Sequence, residues 1–380
     1  LDHAVNSRRR RTFAGMLIQS ISGIRGTIGG PAGQGLTPKD IVRFGMGYAA
    51  WVKEQAADAR PLVVIGRDAR LSGQMLRDVL AGTLQAMGVD VLDLGLSTTP
   101  TVELAVPAEG AHGGIILTAS HNPRQWNALK LLDARGEFLN AAEGERVLAF
   151  AAQELEAVEV DDLGQIRHDD HWMQRHIDHA LGLELVDAPA VRAHGLKVAV
   201  DAVNSTGGLI LPALLEAMGV EVVRVHCEPT GDFAHNPEPL PAHLTDLAEA
   251  VVSHGCDLGI SVDPDVDRLA FVCEDGSMFG EEYTLVAVAD YVLSRTPGNT
   301  VSNMSSTRAL RQVTEARGGR YTASAVGEVN VVAAIEATGA IIGGEGNGGV
   351  IYPTSHRGRD AVVGTALFLT HLVRSGLSAK

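Results

Sequence analysis

One pattern constrains this chain more than any other: an apolar strand, a turn, an amphipathic helix and a glycine-marked return to a second strand recur three times in succession. Pro61 to Gly66 (PLVVIG) reads as a strand, followed by a helical pattern through Leu76, Val79, Leu80, Leu84 and Met87. That helix ends at Ala86, Met87, Gly88, Val89, Asp90 and Val91, where glycine suits a helix C-terminus. After a strand at Leu196 to Val200 and a helix at Leu209 to Met218, the junction Ala217, Met218, Gly219, Val220, Glu221, Val222 repeats it almost letter for letter. A fainter copy runs from Val301 through a helix at Ala309 to Ala316, with Gly318 and Gly319 at its junction. Units spaced this widely are too long for a solenoid and predict consecutive domains. The expected fold is α/β, with three similar α/β domains of mixed sheets around a central cleft, over residues 16–165, 166–277 and 278–380. Residues 1–15 read as a disordered tail or an extension upstream of Met16.

Each unit then leads an apolar strand into a polar loop, and the three loops differ in chemistry. Gly114 to Leu117 opens into Thr118, Ala119, Ser120, His121, Asn122 and Pro123 (TASHNP); Leu258 to Val262 into Asp263, Pro264, Asp265, Val266, Asp267 and Arg268 (DPDVDR); Ile341 and Ile342 into Gly343 to Gly349 (GGEGNGG). In α/β sheets ligands bind beyond the carboxyl ends of strands, so three equivalent loops predict one cleft between domains.

Composition excludes several alternatives. The 31 basic and 46 acidic residues give a formal charge of −15, which disfavours a grip on nucleic acid. Every hydrophobic run is interrupted before it could span a membrane, and Gln19, Ser20, Ser22 and Gly23 break the stretch that would make Arg8 to Arg11 part of an export signal. Cys227, Cys256 and Cys273 lack CxxC spacing, so neither disulfides nor a zinc site is expected and a cytoplasmic location fits.

In the acidic loop, Asp263, Asp265 and Asp267 alternate, and a locally extended segment would point all three the same way. Such carboxylates repel unless a hard cation joins them, and oxygen-only ligation suits Mg²⁺. Glu274 would complete an EF-hand count, but Arg268 stands where glycine is required and a strand, not a helix, precedes the loop. Ser120 lacks the G-x-S-x-G surroundings of a hydrolase nucleophile. A phosphate on Ser120 would instead bring negative charge and acceptor oxygens to the same divalent ion.

With these motifs in this order, the chain from Met16 to Lys380 resembles the α-D-phosphohexomutase superfamily of phosphoglucomutases, phosphomannomutases and phosphoglucosamine mutases. The motifs are Ser22, Gly23, Ile24, Arg25 and Gly26 (SGIRG), the TASHNP loop with Asn127 and Lys130, the DPDVDR loop, and GEGNGG. The resemblance implies that Ser120 is the phosphorylated serine and that Asp263, Asp265 and Asp267 bind Mg²⁺ with a phosphate oxygen. It also implies that Arg25 and Lys130 sit beside the phosphoserine and that Arg268 reaches in behind the metal ligands. Lys130 is the leading general acid/base, since a lysine crowded by cations and burial can lose a proton. His121 orients the loop or bonds the phosphoserine. In the third loop Glu345 can accept bonds from sugar hydroxyls and Asn347 can donate or accept, while Gly346 and the other glycines there allow close backbone approach; Gly327 and Glu328 (AVGEVN) resemble another substrate-side turn of the family. Asn347 and Gly349 depart from the family's usual serine and histidine.

The expected reaction is phosphoryl exchange through phosphoserine and a hexose 1,6-bisphosphate, which also serves as activator. Glucosamine 6-phosphate is the expected substrate, with glucose or mannose phosphate as runner-up, and a homodimer is the expected assembly. The family's fourth domain, with its Arg-x-Ser-Gly-Thr phosphate clamp, is not found before Lys380, so the contrasting expectation is a sugar-phosphate-binding remnant with phosphatase activity. Arg357 and Arg359 read as a surface turn before a last helix, Ala361 to Val373, and His168, His171, His176 and His179 as an exposed polar stretch. Asp201 to Gly208 (DAVNSTGG) reads as a structural strand-to-helix turn.

Overall fold

In the computed structural model, which describes residues 16–20, 23–57 and 60–380, three sheets follow one strand plan. Residues 1–15 and Ser22 of the SGIRG run lie outside the described residues. The first sheet contains β1 (Leu17–Ser20), β2 (Gly23–Thr27), β3 (Leu62–Arg67), β4 (Asp90–Leu96), β5 (Gly113–Leu117), β6 (Trp126–Leu132) and β7 (Ile166–His168), in the order β1-β2-β6-β5-β3-β4-β7. Helices α1 (Pro38–Ala56), α2 (Gly73–Ala86), α3 (Thr99–Ala108) and α4 (Ala141–Ala151) connect and cover it. Strand β7 pairs with β4, so this sheet extends past the boundary at residue 165 read from the sequence.

After α5 (Trp172–Leu181) and α6 (Ala188–His194), the second sheet has the order β11-β10-β8-β9, from β8 (Lys197–Asp201), β9 (Glu221–Val225), β10 (Leu258–Val262) and β11 (Leu269–Cys273), with α7 (Gly207–Ala217) and α8 (Thr245–His254) as crossovers. The third begins with α9 (Glu281–Arg295). Its sheet runs β13-β12-β14-β15, from β12 (Asn299–Asn303), β13 (Tyr321–Ser324), β14 (Ala340–Glu345) and β15 (Gly349–Ile351), with α10 (Ala309–Ala316), α11 (Glu328–Thr338) and the final α12 (Ala361–Ser375).

The shared plan is an antiparallel strand beside a run of parallel ones: β6, β11 and β15 each return antiparallel beside β5, β10 and β14, which pair in parallel with β3, β8 and β12. Strands β5 and β10 are buried along their whole length, which is why they read as unbroken apolar runs. The three polar loops therefore leave equivalent strand ends, as the repeat predicts.

The second and third domains share one hydrophobic core. Leu214, Phe271, Val288, Ile342, Leu367 and Phe368 belong to the same cluster, and the Phe271 and Phe368 rings stack 3.9 Å apart. Helix α12 is consequently buried on nearly every side, a helix of the interior between two sheets.

The histidine stretch is not uniformly exposed as the sequence reading had it. His176 is 1% exposed, because the amphipathic α5 turns His176, Ile177 and Ala180 inward together. Its ring bonds Thr101 Oγ1 of α3 at 2.9 Å and Asp360 Oδ2, the N-cap of α12, at 2.9 Å. One buried imidazole thus ties all three domains.

Candidate active site

Ser120 lies in the turn after β5 with φ +48, a left-handed conformation that a non-glycine residue adopts only when its surroundings enforce it. Its N–H donates to Thr118 Oγ1 at 3.0 Å, and Thr118 Oγ1 donates to the buried Asp68 at 2.6 Å. So held, the Ser120 hydroxyl crosses the domain boundary and donates to Asp263 Oδ2 at 2.5 Å.

The acidic loop converges by a different route from the expected extended alternation. It is a tight turn in which Val266 has φ +64, while Asp263 Oδ1 accepts from the N–H groups of Asp267 at 3.2 Å and Arg268 at 3.1 Å. Asp263, Asp265 and Asp267 are fully buried, and one carboxylate oxygen from each lies within 4.8 Å of the others. Thr99 at the start of α3 braces the turn from the first domain, its hydroxyl donating to Asp265 Oδ2 at 2.6 Å.

This donor set fits a hard divalent cation. Asp265 Oδ1 and Asp267 Oδ1 are buried with no hydrogen-bond partner, an expensive state unless a cation completes them. Burial and then the charges of Asp267 and Asp265 push the Asp263 carboxyl well above its ordinary range. Burial pushes Asp265 the same way, but Lys130 outweighs it and holds this carboxylate below the usual range.

Lys130, on β6, places its ammonium 2.6 Å from Asp265 Oδ2 and 3.3 Å from Asp267 Oδ2. The expected crowding by cations is replaced by crowding by carboxylates. Burial lowers its affinity for a proton, yet the two aspartates reverse the sign and raise the lysine above its ordinary value. Arg25, on β2, donates to Asn122 Oδ1 of the serine loop at 3.1 Å, and burial lowers its guanidinium from the ordinary value. His121 Nδ1 stands 3.4 Å from Ser120 Oγ; burial and then the Arg268 charge bring the imidazole down to about 4, so it is neutral at pH 7. Arg268 turns toward Glu238, at 3.2 Å.

In the third loop, β14 runs on through Gly343 and Gly344 to Glu345, a tight turn follows, and β15 begins at Gly349. Asn303 Nδ2 at 2.8 Å, Gly327 N at 3.2 Å and Asn347 Nδ2 at 3.4 Å all donate to Glu345. Gly346 does not line the cleft; it turns against Ser305 and Ser306.

Arg359 corrects the sequence reading most. It is no surface residue but 8% exposed, and its guanidinium reaches Asp267 at 2.7 Å, Glu328 at 3.0 Å and Glu345 at 2.9 Å. Burial opposes this cation, but the three carboxylates hold it protonated well above its ordinary value. Arg357 stays at the surface beside Glu137 and Glu336. No signal local to the HRGRD turn marked Arg359, since Glu328 and Asp267 lie 31 and 92 residues away in the chain.

The loops enclose a cleft of about 560 Å³ lined by Ser120, Arg25, Lys130, Arg268, Gly327 and Asn347. With the Ser120 hydroxyl, the cations Arg25, Lys130, Arg268 and Arg359 and the Glu345 carboxylate on its wall, and the buried aspartate triad directly behind Ser120, the cleft is suited to phosphoryl transfer on a polar substrate.

Models described as phosphoglucomutase/phosphomannomutase α/β/α domains I, II and III match residues 17–157, 174–276 and 280–380. The chain belongs to the phosphoglucomutase/phosphomannomutase family. It is thus an enzyme of the α-D-phosphohexomutase superfamily. A phosphoglucomutase/phosphomannomutase of Thermococcus kodakarensis is 35% identical over 357 residues, covering 92% of this chain and 77% of the relative. A phosphoglucosamine mutase of Polaromonas sp. strain JS666 is 32% identical over 362 residues, covering 93% and 78%. Among solved structures, a phosphoglucomutase/phosphomannomutase family protein of Burkholderia thailandensis superposes with a TM-score of 0.81 at 28% identity, covering 94% of this chain and 78% of that one.

Proposed function

We propose that this phosphohexomutase interconverts hexose 6-phosphate and hexose 1-phosphate through phosphorylated Ser120, with glucosamine 6-phosphate to glucosamine 1-phosphate as its preferred reaction. The reading rests on the 2.5 Å contact between Ser120 Oγ and Asp263, which brings the only serine of the TASHNP loop to the carboxylate triad of another domain.

On this reading the phosphoryl group leaves Ser120 for one free hydroxyl of the bound hexose monophosphate. The P–Oγ bond breaks as a bond from phosphorus to the sugar oxygen forms, giving a hexose 1,6-bisphosphate. Lys130, held as the ammonium by Asp265 and Asp267, gives its proton to Oγ as the P–Oγ bond breaks, and the amine so formed takes up the proton lost by the sugar hydroxyl. The bisphosphate then turns over, and Ser120 recovers phosphate from the other end. Arg25 and Arg268 balance charge on the transferring group, while Glu345, Asn347 and the Gly327 turn hold sugar hydroxyls. Asp263, Asp265, Asp267 and the Ser120 oxygen would hold Mg²⁺, which when bound neutralises phosphoryl oxygen charge. The neutral His121 orients the serine loop. Added hexose 1,6-bisphosphate activates enzyme that has lost its phosphate, and the reaction proceeds in the cytoplasm.

The 35% identical relative named for glucose and mannose phosphates supports a second substrate reading. Incubation with Mg²⁺, a trace of the matching bisphosphate and glucosamine 6-phosphate, glucose 1-phosphate or mannose 1-phosphate ranks the three. Isomerisation should be fastest with glucosamine 6-phosphate, and Ser120→Ala should abolish it; release of inorganic phosphate alone would make the chain a phosphatase.

A further inference from the structure

Behind the reactive loop lies a guanidinium that no step above uses. Arg70, in the turn between β3 and α2, is 1% exposed, and all five of its N–H donors are engaged. Nε donates to Asp68 Oδ2 at 3.0 Å; Nη1 to the carbonyls of Pro123 at 2.9 Å and Trp126 at 3.1 Å; Nη2 to the carbonyls of Asn122 at 2.7 Å and of Ser120 itself. Three carbonyls of the serine loop and that of Trp126, which opens β6, therefore converge on one rigid, planar cation, and one of them belongs to Ser120, whose backbone is left-handed. The Phe233 ring of the second domain covers the guanidinium, 5.0 Å from its carbon.

The same turn is registered against the acidic loop. Ala69 N–H donates to Ser205 Oγ at 3.3 Å, and that hydroxyl donates to the carbonyl of Pro264, between Asp263 and Asp265, at 2.7 Å. One side of the turn grips the serine loop and the other reaches the aspartate loop through a single hydroxyl.

We infer that Arg70 is a positioning residue for the nucleophile: its fork fixes the Ser120 loop at the left-handed conformation that aims Oγ at Asp263. This rests on the function proposed above. Lysine cannot substitute, because three donors on a flexible stem do not span four carbonyls and a carboxylate. A misplacement of about 1 Å at a reacting group costs roughly a hundredfold in rate.

The test compares wild type with Arg70→Lys and Ser205→Ala, measuring phosphate incorporated at Ser120 from glucose 1,6-bisphosphate, then kcat and KM per folded molecule. Arg70→Lys should lower both phosphorylation rate and kcat by roughly a hundredfold, with KM for hexose phosphate within about twofold, since Arg70 touches none of Glu345, Asn347 or Gly327. Ser205→Ala, a milder change, should show the same kcat-only signature by roughly tenfold. A purely structural role would lower thermal stability and leave kcat per folded molecule unchanged, overturning the inference while the function stands. If Arg70→Lys does not fold, an unchanged kcat in Ser205→Ala overturns it equally. Wild type that takes no phosphate at Ser120 overturns both.

Discussion

Arg359 balances more carboxylates in the cleft than any other side chain among the described residues, facing Asp267 of the aspartate loop and two carboxylates of the third domain at once. Removing one partner from a buried ionic cluster leaves the others desolvated and unpaired, so Arg359→Ala should destabilise the fold by about 3–5 kcal/mol, measured by denaturant unfolding. Turnover should fall with it, because Asp267 and Glu345 lose their common anchor. A loss below about 1 kcal/mol would mean that the three carboxylates are balanced some other way. At this scale the sequence was partly legible. Ser120 and the three aspartates stood out because their motifs are contiguous and chemically unusual. Arg359 and Arg70 did not, because their partners are far apart in sequence, and an arginine in a turn looks the same whether it faces water or a carboxylate. Lys130 lines the cleft, but the charges that surround it could not be inferred from its neighbours in the chain.

Among the elements, the turn between β14 and β15 shows how one domain's backbone can be shaped by another's. Gly348 has φ +84, its carbonyl accepts from Leu269 N–H at 3.2 Å, and a Cβ there would lie 2.1 Å from the Leu269 carbonyl. Leu269 opens β11 immediately after the aspartate loop, so this glycine allows the Glu345 turn to dock on the strand that leaves that loop. Gly348→Ala should cost more than about 1 kcal/mol from the backbone alone, and should raise KM for hexose phosphate as Glu345 and Asn347 shift. An unchanged KM would show that the turn is held independently of that approach. The three strand–helix units and the strand before each loop were legible, because apolar periodicity and the glycine junction are local properties. The continuation of β14 through Gly343 and Gly344 was not, since glycine carries no strand signal and only pairing to β12 and β15 makes those residues a strand.

For the whole molecule, the decisive property is that loops from separate domains keep ångström registry. The shared core between the second and third domains supplies one constraint, and the buried Thr101–His176–Asp360 connection supplies another. Burial would raise the Asp360 carboxyl, but His176 and then His356 outweigh it and hold the group well below the usual carboxylate range. Its folded value being depressed, the contribution is fully present above the unfolded value of about 3.9 and is lost as pH falls below it. Wild type should therefore exceed Asp360→Asn in stability by about 3 kcal/mol near neutral pH, with the gap closing below about pH 4; a gap independent of pH would remove the ionised carboxylate from the account. On the proposed function, that registry lets Ser120 carry the phosphate between the two ends of the sugar. Rapid-quench mass spectrometry of the Ser120 peptide during a single turnover with hexose monophosphate measures this directly. The account predicts that phosphate leaves Ser120 as bisphosphate appears and returns as product forms; turnover with Ser120 unmodified throughout would contradict it.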